Sequence, residues 1–493
     1  MSVFSLILAG VLAQGLELRH AGGALPGTTT LEVTGAPGEL YLIVGAVEEE
    51  QTPIAPGVTL DVNLDYLDFT FMLPGFFGFL DGSGQGTGVA VLPDDPFLLD
   101  VVLSFQAIQG AGLDAVSNLC RVTPAATGTV TRILNLPIVP LGAAAVSTQP
   151  DGSVIIAGGS GLLVRRYLPW LEDFEDVGIS IGAGALSTAT VLADGRILFV
   201  GGIGLDGAPT DQAGLFDPAT GDTSVISMTA SRAGHAASLM SDGRVLVTGG
   251  FSVFDLTDVL GFLSGVQASA EVFDPATDSF STGWSMLEPR ALHTQTTLIG
   301  GKVMVAGGIT LIPIINLPTV SATAYVYNPT LGTWGLPKLM NAPRLMHSAV
   351  ALDDGRVLLV GGLGLDLSGV ITSGDWTQLV VETRDDGEIY TDGFFGGFQA
   401  VPGMSSRRAQ AGLAALPGGG ALVVGGLEFF YDASDPLATV FGLLETCEVL
   451  ENDAWSPTGS MALPRLDPLC HPLHDGTVML VGGGPLDVET YQP

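Results

Sequence analysis

The sequence predicts an all-β chain, a seven-bladed β-propeller preceded by a small β-sandwich-like domain, and three observations carry that prediction. Glycine (69 residues) and proline (30) make up about a fifth of the 493 residues with no triplet period, the composition of many short strands joined by tight turns. Gly-Gly pairs recur seven times, beginning at Gly158, Gly201, Gly249, Gly307, Gly361, Gly425 and Gly482. Seven residues before each pair stands a turn residue, Asp151, Asp194, Asp242, Gly300, Asp354, Gly418 or Asp475, and each is followed by glycine. A fixed offset of this kind marks a hairpin, and Asp-Gly or Gly-Gly supplies the positive φ that a type I′ turn needs at both central positions.

Composition bounds the rest. Forty-seven per cent of residues are hydrophobic and 14% are charged, so the chain buries a large core and is not disordered. The net charge of −34 argues against nucleic acid as a partner and against anionic membrane surfaces. Residues 3–13, VFSLILAGVLA, form an uncharged apolar run ending in small residues. It is too short to span a membrane, and no other run reaches the length of a transmembrane helix. A signal segment over residues 1–16, hence a secreted or cell-surface protein, is the expectation; a first strand of a cytoplasmic protein is the alternative. Three cysteines, Cys120, Cys447 and Cys470, are too few and odd in number for a disulfide framework.

Residues 17–123 lack the repeat but hold strand-like runs at 30–34, 40–44, 60–63, 68–72 and 101–106, the pattern of a small sandwich. Residues 124–128 are a short junction, and the propeller is expected over 124–493. Each unit then reads as four strands. A first strand precedes the turn. The second, such as Arg196-Ile-Leu-Phe-Val200, Arg244-Val-Leu-Val-Thr248 or Arg356-Val-Leu-Leu-Val360, is a continuous apolar run, as expected for a strand covered on both faces. The third ends in a turn, as in Glu271-Val-Phe-Asp-Pro275, and the fourth often carries Trp, as at Trp334 and Trp455. The last unit stops after its third strand, so residues 127–134 are expected to supply the missing strand and close the ring, because closure removes an unpaired edge.

Ser231-Arg-Ala-Gly-His-Ala-Ala-Ser-Leu-Met-Ser-Asp-Gly-Arg-Val-Leu-Val-Thr-Gly-Gly250, followed by Phe273-Asp-Pro-Ala-Thr277, resembles the kelch repeat, in the form found in the propeller of galactose oxidase-like bacterial proteins. The resemblance implies a kelch-type propeller. It also implies structural roles, as hydrogen-bond and charge partners between blades, for residues that recur at one place in successive units: Arg232, Arg290, Arg344, Arg408 and Arg465, with His235, His293 and His347 three residues after the first three. The same resemblance raises a copper-dependent carbohydrate oxidase, since that family binds copper through tyrosines and histidines and couples a tyrosine to a cysteine. Cys470, His471 and His474 form the one local Cys/His cluster, yet strand alternation puts Cys470 and His471 on opposite faces. No cofactor is therefore expected; copper is the alternative, and calcium between acidic pairs such as Asp94-Asp95, Asp353-Asp354 and Asp385-Asp386 is a lesser one.

No Gly-x-Ser-x-Gly elbow, His-Glu-x-x-His or Walker loop is present, so no catalytic residue is nominated. The variable insertions after the Gly-Gly pairs share one face and are unusually apolar. They either pack on one another or on the N-terminal domain, or form a surface for a protein or carbohydrate partner. Candidate residues for that surface are Phe251, Phe254, Ile314, Ile315, Trp376, Phe429, Phe430 and Tyr431. A non-catalytic binding protein is the functional expectation, and the scaffold alone does not name its ligand.

Overall fold

The computed structural model describes residues 17–493 apart from 23, 26, 47–51, 56–57, 61–75, 93–102, 110–114, 118–119, 123–124, 127, 136–143, 159–162, 170–172, 182–183, 205, 255–264, 313–316, 367–377, 379, 394–395, 433–439, 474–475 and 484–486. Every regular element among the described residues is a β-strand, and no helix there is long and apolar enough to cross a membrane. The signal-segment expectation over 1–16 lies outside the described residues, as do residues 68–72 and most of 60–63.

The repeat folds as antiparallel sheets of four strands. Blade 3 shows the pattern: Ala236–Leu239, Val245–Thr248, Ala270–Asp274 and Ser279–Thr282 pair in that order. Blades 1 (residues 144–179), 2 (188–227), 4 (294–339), 5 (348–401) and 6 (412–457) repeat it. Blade 7 takes Leu469–Pro472, Val478–Val481 and Asp487–Tyr491, and its outer strand, Val130–Asn135, runs antiparallel to Asp487–Tyr491. The innermost strand of each blade packs on that of the next, and that of blade 7 packs on that of blade 1, so the sheets form a closed ring.

The apolar second strands are buried throughout in Ile197–Val200, Val245–Thr248, Val303–Ala306, Val357–Val360 and Val478–Val481, because a blade is covered by a neighbour on each face. Outer strands such as Asp222–Ser227 are mostly exposed. The core is a series of clusters between blades: Leu198, Val200 and Leu215 of blade 2, for example, meet Val245, Val247 and Phe273 of blade 3.

The hairpin turns differ from expectation in type. Gly152, Gly195, Gly243 and Gly355 have φ between 82° and 87°, but the aspartate before each stays at negative φ. In blade 2 the amide of Gly195 donates to Leu192 O (3.0 Å) and that of Leu192 to Arg196 O (2.8 Å). This is a type I turn followed by one left-handed glycine, not a type I′ turn. Aspartate is favoured there because its carboxylate accepts the amide two residues on, as Asp194 Oδ1 does from Arg196 N (3.1 Å) and Asp354 Oδ1 from Arg356 N (3.0 Å).

Ahead of the ring, Glu17–Gly22, Gly27–Thr34 and Gln85–Leu92 form one antiparallel sheet, and Leu40–Ala46, Phe77–Phe79, Leu103–Gln109, Ala115–Val116 and Cys120–Val122 form another. Leu18, Leu31 and Val33 of the first share a core with Tyr41, Ile43, Phe105 and Cys120 of the second.

Candidate functional site at the mouth of the ring

Each repeat arginine is a clamp inside its own blade. Arg232, Arg290, Arg344, Arg408 and Arg465 are among the largest fully buried side chains of the protein. Each donates from Nη1 to the carbonyl of the first glycine of its own blade's Gly-Gly pair, seventeen residues on, at 2.7–2.9 Å. Burying a guanidinium requires a counter-charge. Glu271, Glu388, Glu448 and Glu489, all buried on third strands, supply it at 2.7–2.9 Å. Blade 4 has Tyr325 at that position; Arg290 lies over its ring (4.9 Å to the centroid) and pairs instead with the half-exposed Glu288 at 2.9 Å. The charge partner of each arginine is thus in its own blade, which corrects the inter-blade role the resemblance implied. The contact between blades is made by the arginine backbone, whose carbonyl accepts the second glycine amide of the preceding blade, as in Gly250 N to Arg290 O and Gly426 N to Arg465 O, both 2.8 Å.

The histidines do join blades. Nε2 of His235, His293 and His347 hydrogen-bonds to Thr188, Thr248 and Thr294 of the preceding blade at 2.8–2.9 Å. Burial, reinforced by the neighbouring arginine, pushes His235 and His293 down to about 3 and His347 well below its usual value. The three rings are neutral at pH 7. They are held apart in separate blade junctions, and among the described residues no group of three His, Cys, Asp or Glu is placed to hold a metal.

Just before the inner strands of blades 2 to 7, and after the clamp in the five blades that have one, lies a position the sequence reading did not single out. Leu186, Gly234, Leu292, Met346, Gln410 and Asp467 stand two residues before the inner strands of blades 2 to 7, and all have φ between 48° and 63°. Their backbones form a chain around the mouth, each amide donating to the carbonyl of the previous member: Gly234 to Leu186 (2.8 Å), Leu292 to Gly234 (2.7 Å), Met346 to Leu292 (3.1 Å), Gln410 to Met346 (2.8 Å) and Asp467 to Gln410 (2.7 Å). The seventh position, residue 142, lies outside the described residues. Leucine and methionine rarely adopt this conformation, and such strain persists where the surroundings over-determine it, often at functional sites. Gly234 and Asp467 were the signal available in the sequence, being residue types that tolerate left-handed backbone at a constant distance from the arginine.

These six residues rim a cavity of about 460 Å³ that reaches His235, His293, His347 and Cys470. The size is that of a small-molecule site. Asp467 is open to solvent through the mouth, yet enough protein surrounds it that desolvation raises its carboxyl to about 6. Its carboxylate makes no hydrogen bond or ion pair among the described residues, and it is the one charged side chain on the described lining.

The insertions of blades 3 to 6 leave the ring at this same end, since the residue after the Gly-Gly pair of each bridges to the residue after its clamp arginine, as Phe251 does to Ala233 and Leu427 to Ala409. One insertion is a hairpin, Ile309–Ile312 with Leu317–Val320. Those of blades 5 and 6 combine into a four-stranded sheet in the order Leu363–Asp366, Val380–Thr383, Leu427–Asp432, Val440–Leu443. Phe429, Phe430 and Tyr431 lie half-buried on an inner strand of this sheet. Phe251 does not belong to a binding face: it is 1% exposed and packs with Val266, Ala291 and Ile309 at the junction of blades 3 and 4. Phe254 is half-buried; Ile314, Ile315 and Trp376 lie outside the described residues.

Cys470 and His471 of the Cys/His cluster are not brought together. Cys470 lines the cavity and faces Gly412 of blade 6, whereas His471 Nε2 is bonded to Thr148 Oγ1 of blade 1 at 2.8 Å. Alternation along the strand separates them, and His474 lies outside the described residues. No tyrosine is on the described lining of the cavity. These residues do not fit the copper ligand set that the family resemblance implied.

No protein-family model matches the chain, and no curated protein matches it. Among solved structures, a fungal alcohol oxidase of the AA5 family in complex with copper is 19% identical, with a TM-score of 0.52, and the match covers 73% of this chain and 75% of that one. The structure of YjhT is 13% identical with a TM-score of 0.44, over 72% of this chain and 95% of that one. At such identities the likeness is one of fold, and by fold this chain is an all-β propeller.

Proposed function

We propose that the protein is a non-catalytic binding protein, exported or displayed at the cell surface, that takes its ligand at the mouth of the ring on the face from which the insertions emerge. The observation that carries this reading is the cavity of about 460 Å³ rimmed by six side-chain positions held in left-handed backbone. The backbone frame is repeated from blade to blade while the residues on it differ, so the rim is a place where specificity varies on a constant support. Insertion strands beside it extend the surface toward a glycan or a protein loop.

A copper-dependent carbohydrate oxidase is the second reading, favoured by the fold shared with a copper-bound alcohol oxidase. One set of measurements separates them. A panel of glycans and small metabolites is screened by affinity mass spectrometry against the wild type and Met346→Trp, which narrows the mouth, with copper content measured on the same preparations after growth with copper. Binding lost on narrowing, with substoichiometric copper, is the expected outcome. Stoichiometric copper with turnover of a carbohydrate alcohol overturns the binding reading, as does a ligand indifferent to Met346→Trp.

A further inference from the structure

The charge at the mouth is simpler than its composition suggests. Five arginines and three histidines stand around it, but the arginines are buried and engaged with carboxylates and glycine carbonyls, and the histidines are neutral. No positive charge therefore faces the described part of the cavity. Asp467 remains, a carboxylate without a partner. Beside it on the rim is Gln410, whose side chain makes no hydrogen bond among the described residues. The other described rim positions are Leu186, Gly234, Leu292 and Met346, which carry no polar side chain. The described rim is thus uneven: Gln410 and Asp467 accept hydrogen bonds and carry the negative charge, and the remaining described positions are apolar or glycine.

A carboxylate with no partner among the described residues, at the mouth of a cavity, is placed to accept charge-assisted hydrogen bonds from a ligand cation. An anion would meet repulsion here and in the field of a chain with net charge −34. A neutral ligand would leave the carboxylate uncompensated. A bare metal ion would find one carboxylate, fewer oxygens than a calcium site gathers.

We propose that the mouth of the ring recognises an organic ammonium ion, its N–H groups donating to Asp467 and Gln410 and its hydrocarbon body lying against Leu186, Leu292 and Met346. This rests on the mouth being the ligand site. The groups facing Asp467 are the Gln410 amide, the Cys470 thiol, held neutral because burial raises its pKa, and across the cavity the three neutral histidines; Arg465 is turned away into Glu489.

The probe is n-hexylammonium, titrated calorimetrically into the full chain at about 150 mM salt, where screening suppresses general attraction to an acidic protein. The uncharged analogue n-hexanol is the control. One ammonium ion per chain is expected to bind, more tightly than n-hexanol. Asp467→Asn, which suits left-handed backbone, is expected to weaken it about tenfold or more. Wild-type affinity is expected to fall as pH drops from 7 toward 5 and the carboxylate protonates, and Asp467→Asn to be flat there. Gln410→Leu is a second variant, expected to weaken the ammonium ion and spare n-hexanol. Equal binding of both compounds, or an ammonium affinity untouched by Asp467→Asn, overturns the charge assignment while leaving the mouth as a ligand site. Ammonium binding that survives Met346→Trp places the ligand elsewhere and overturns both readings. Calcium bound one to one and abolished by Asp467→Asn overturns the ammonium assignment in favour of a metal.

Discussion

Replacing Glu388 with alanine tests whether the buried clamps hold the ring together. Glu388 is buried and its Oε1 accepts Arg344 Nη2 (2.9 Å) and Ala342 N (3.0 Å), while Oε2 accepts Asn341 N (2.7 Å) and Asn341 Nδ2 (3.0 Å). Truncation leaves the fully buried Arg344 with Gly361 O, Asp386 O and a long contact to Asp386 Oδ2 at 3.5 Å. Removing one partner of a buried pair costs about 3–5 kcal/mol. Orphaned amides add about 1–3 kcal/mol each unless water enters the space vacated by the side chain. The expected loss is about 4 kcal/mol, a fall in Tm of roughly 8 °C at about 2 °C per kcal/mol for a long chain. Glu288→Ala is the matched comparison, because Glu288 is 37% exposed and water can replace it beside Arg290; about 1 kcal/mol is expected there. Differential scanning fluorimetry on both variants reads the contrast. Equal shifts, or a loss below about 2 kcal/mol for Glu388→Ala, would refute the account of burial as the source of the cost. The double replacement Arg344→Met with Glu388→Leu is expected to recover most of the loss, since an apolar pair has no charge to strand.

Three further expectations follow from the geometry. Gly425→Ala places a methyl 2.6 Å from Arg465 O at φ 60° and should cost more than about 3 kcal/mol, whereas Gly243→Ala, at φ 83° with nothing within 4 Å, should cost only the conformational ~1 kcal/mol; chemical denaturation of the two separates clash from strain. His235 and His293 are neutral in the fold down to about pH 3 but take up protons near 6.5 when unfolded, so they make stability fall as pH drops from 6.5 toward 3. Asp467, raised to about 6, acts oppositely between about 4 and 6, and its openness to solvent makes it the weaker term, so melts should show net acid destabilisation, reduced in His293→Gln. Deleting residues 1–135 removes the strand paired with Asp487–Tyr491, whereas deleting 1–123 spares it. Only the first truncation should expose that edge and aggregate on size-exclusion chromatography.

The regular part of the ring was legible because it repeats. The glycine pairs, the turn aspartates and the continuous apolar second strands are each forced by a local requirement: positive φ, an accepted amide, or burial on both faces. The turn type was misread because Asp-Gly serves both a type I′ turn and a type I turn with a left-handed glycine, and composition does not separate them. Arg232 and its equivalents were visible as a column, but Glu271, Glu388, Glu448 and Glu489 were not, since variable insertions separate each glutamate from its arginine by 24 to 44 residues. Phe251 was read as a surface residue because an aromatic after Gly-Gly opens an apolar loop; its burial depends on Ile309 of the next insertion, a contact no single repeat contains.

The rim was illegible for a more instructive reason. Its conformation is imposed by hydrogen bonds from the neighbouring blade, not by the residue that adopts it: Leu292 is left-handed because its amide must reach Gly234 O while its carbonyl receives Met346 N. Residue type there is released from the usual preference for glycine or asparagine. A position whose backbone is fixed by others has a side chain free to differ, which is why leucine, glycine, methionine, glutamine and aspartate all occupy it in one ring. Gln410→Gly should therefore leave the ring intact, gaining about 1 kcal/mol from relieved strain. The same freedom that hid the rim from the sequence is what allows it to carry a lone carboxylate, and specificity can change there without any change in the clamps beneath.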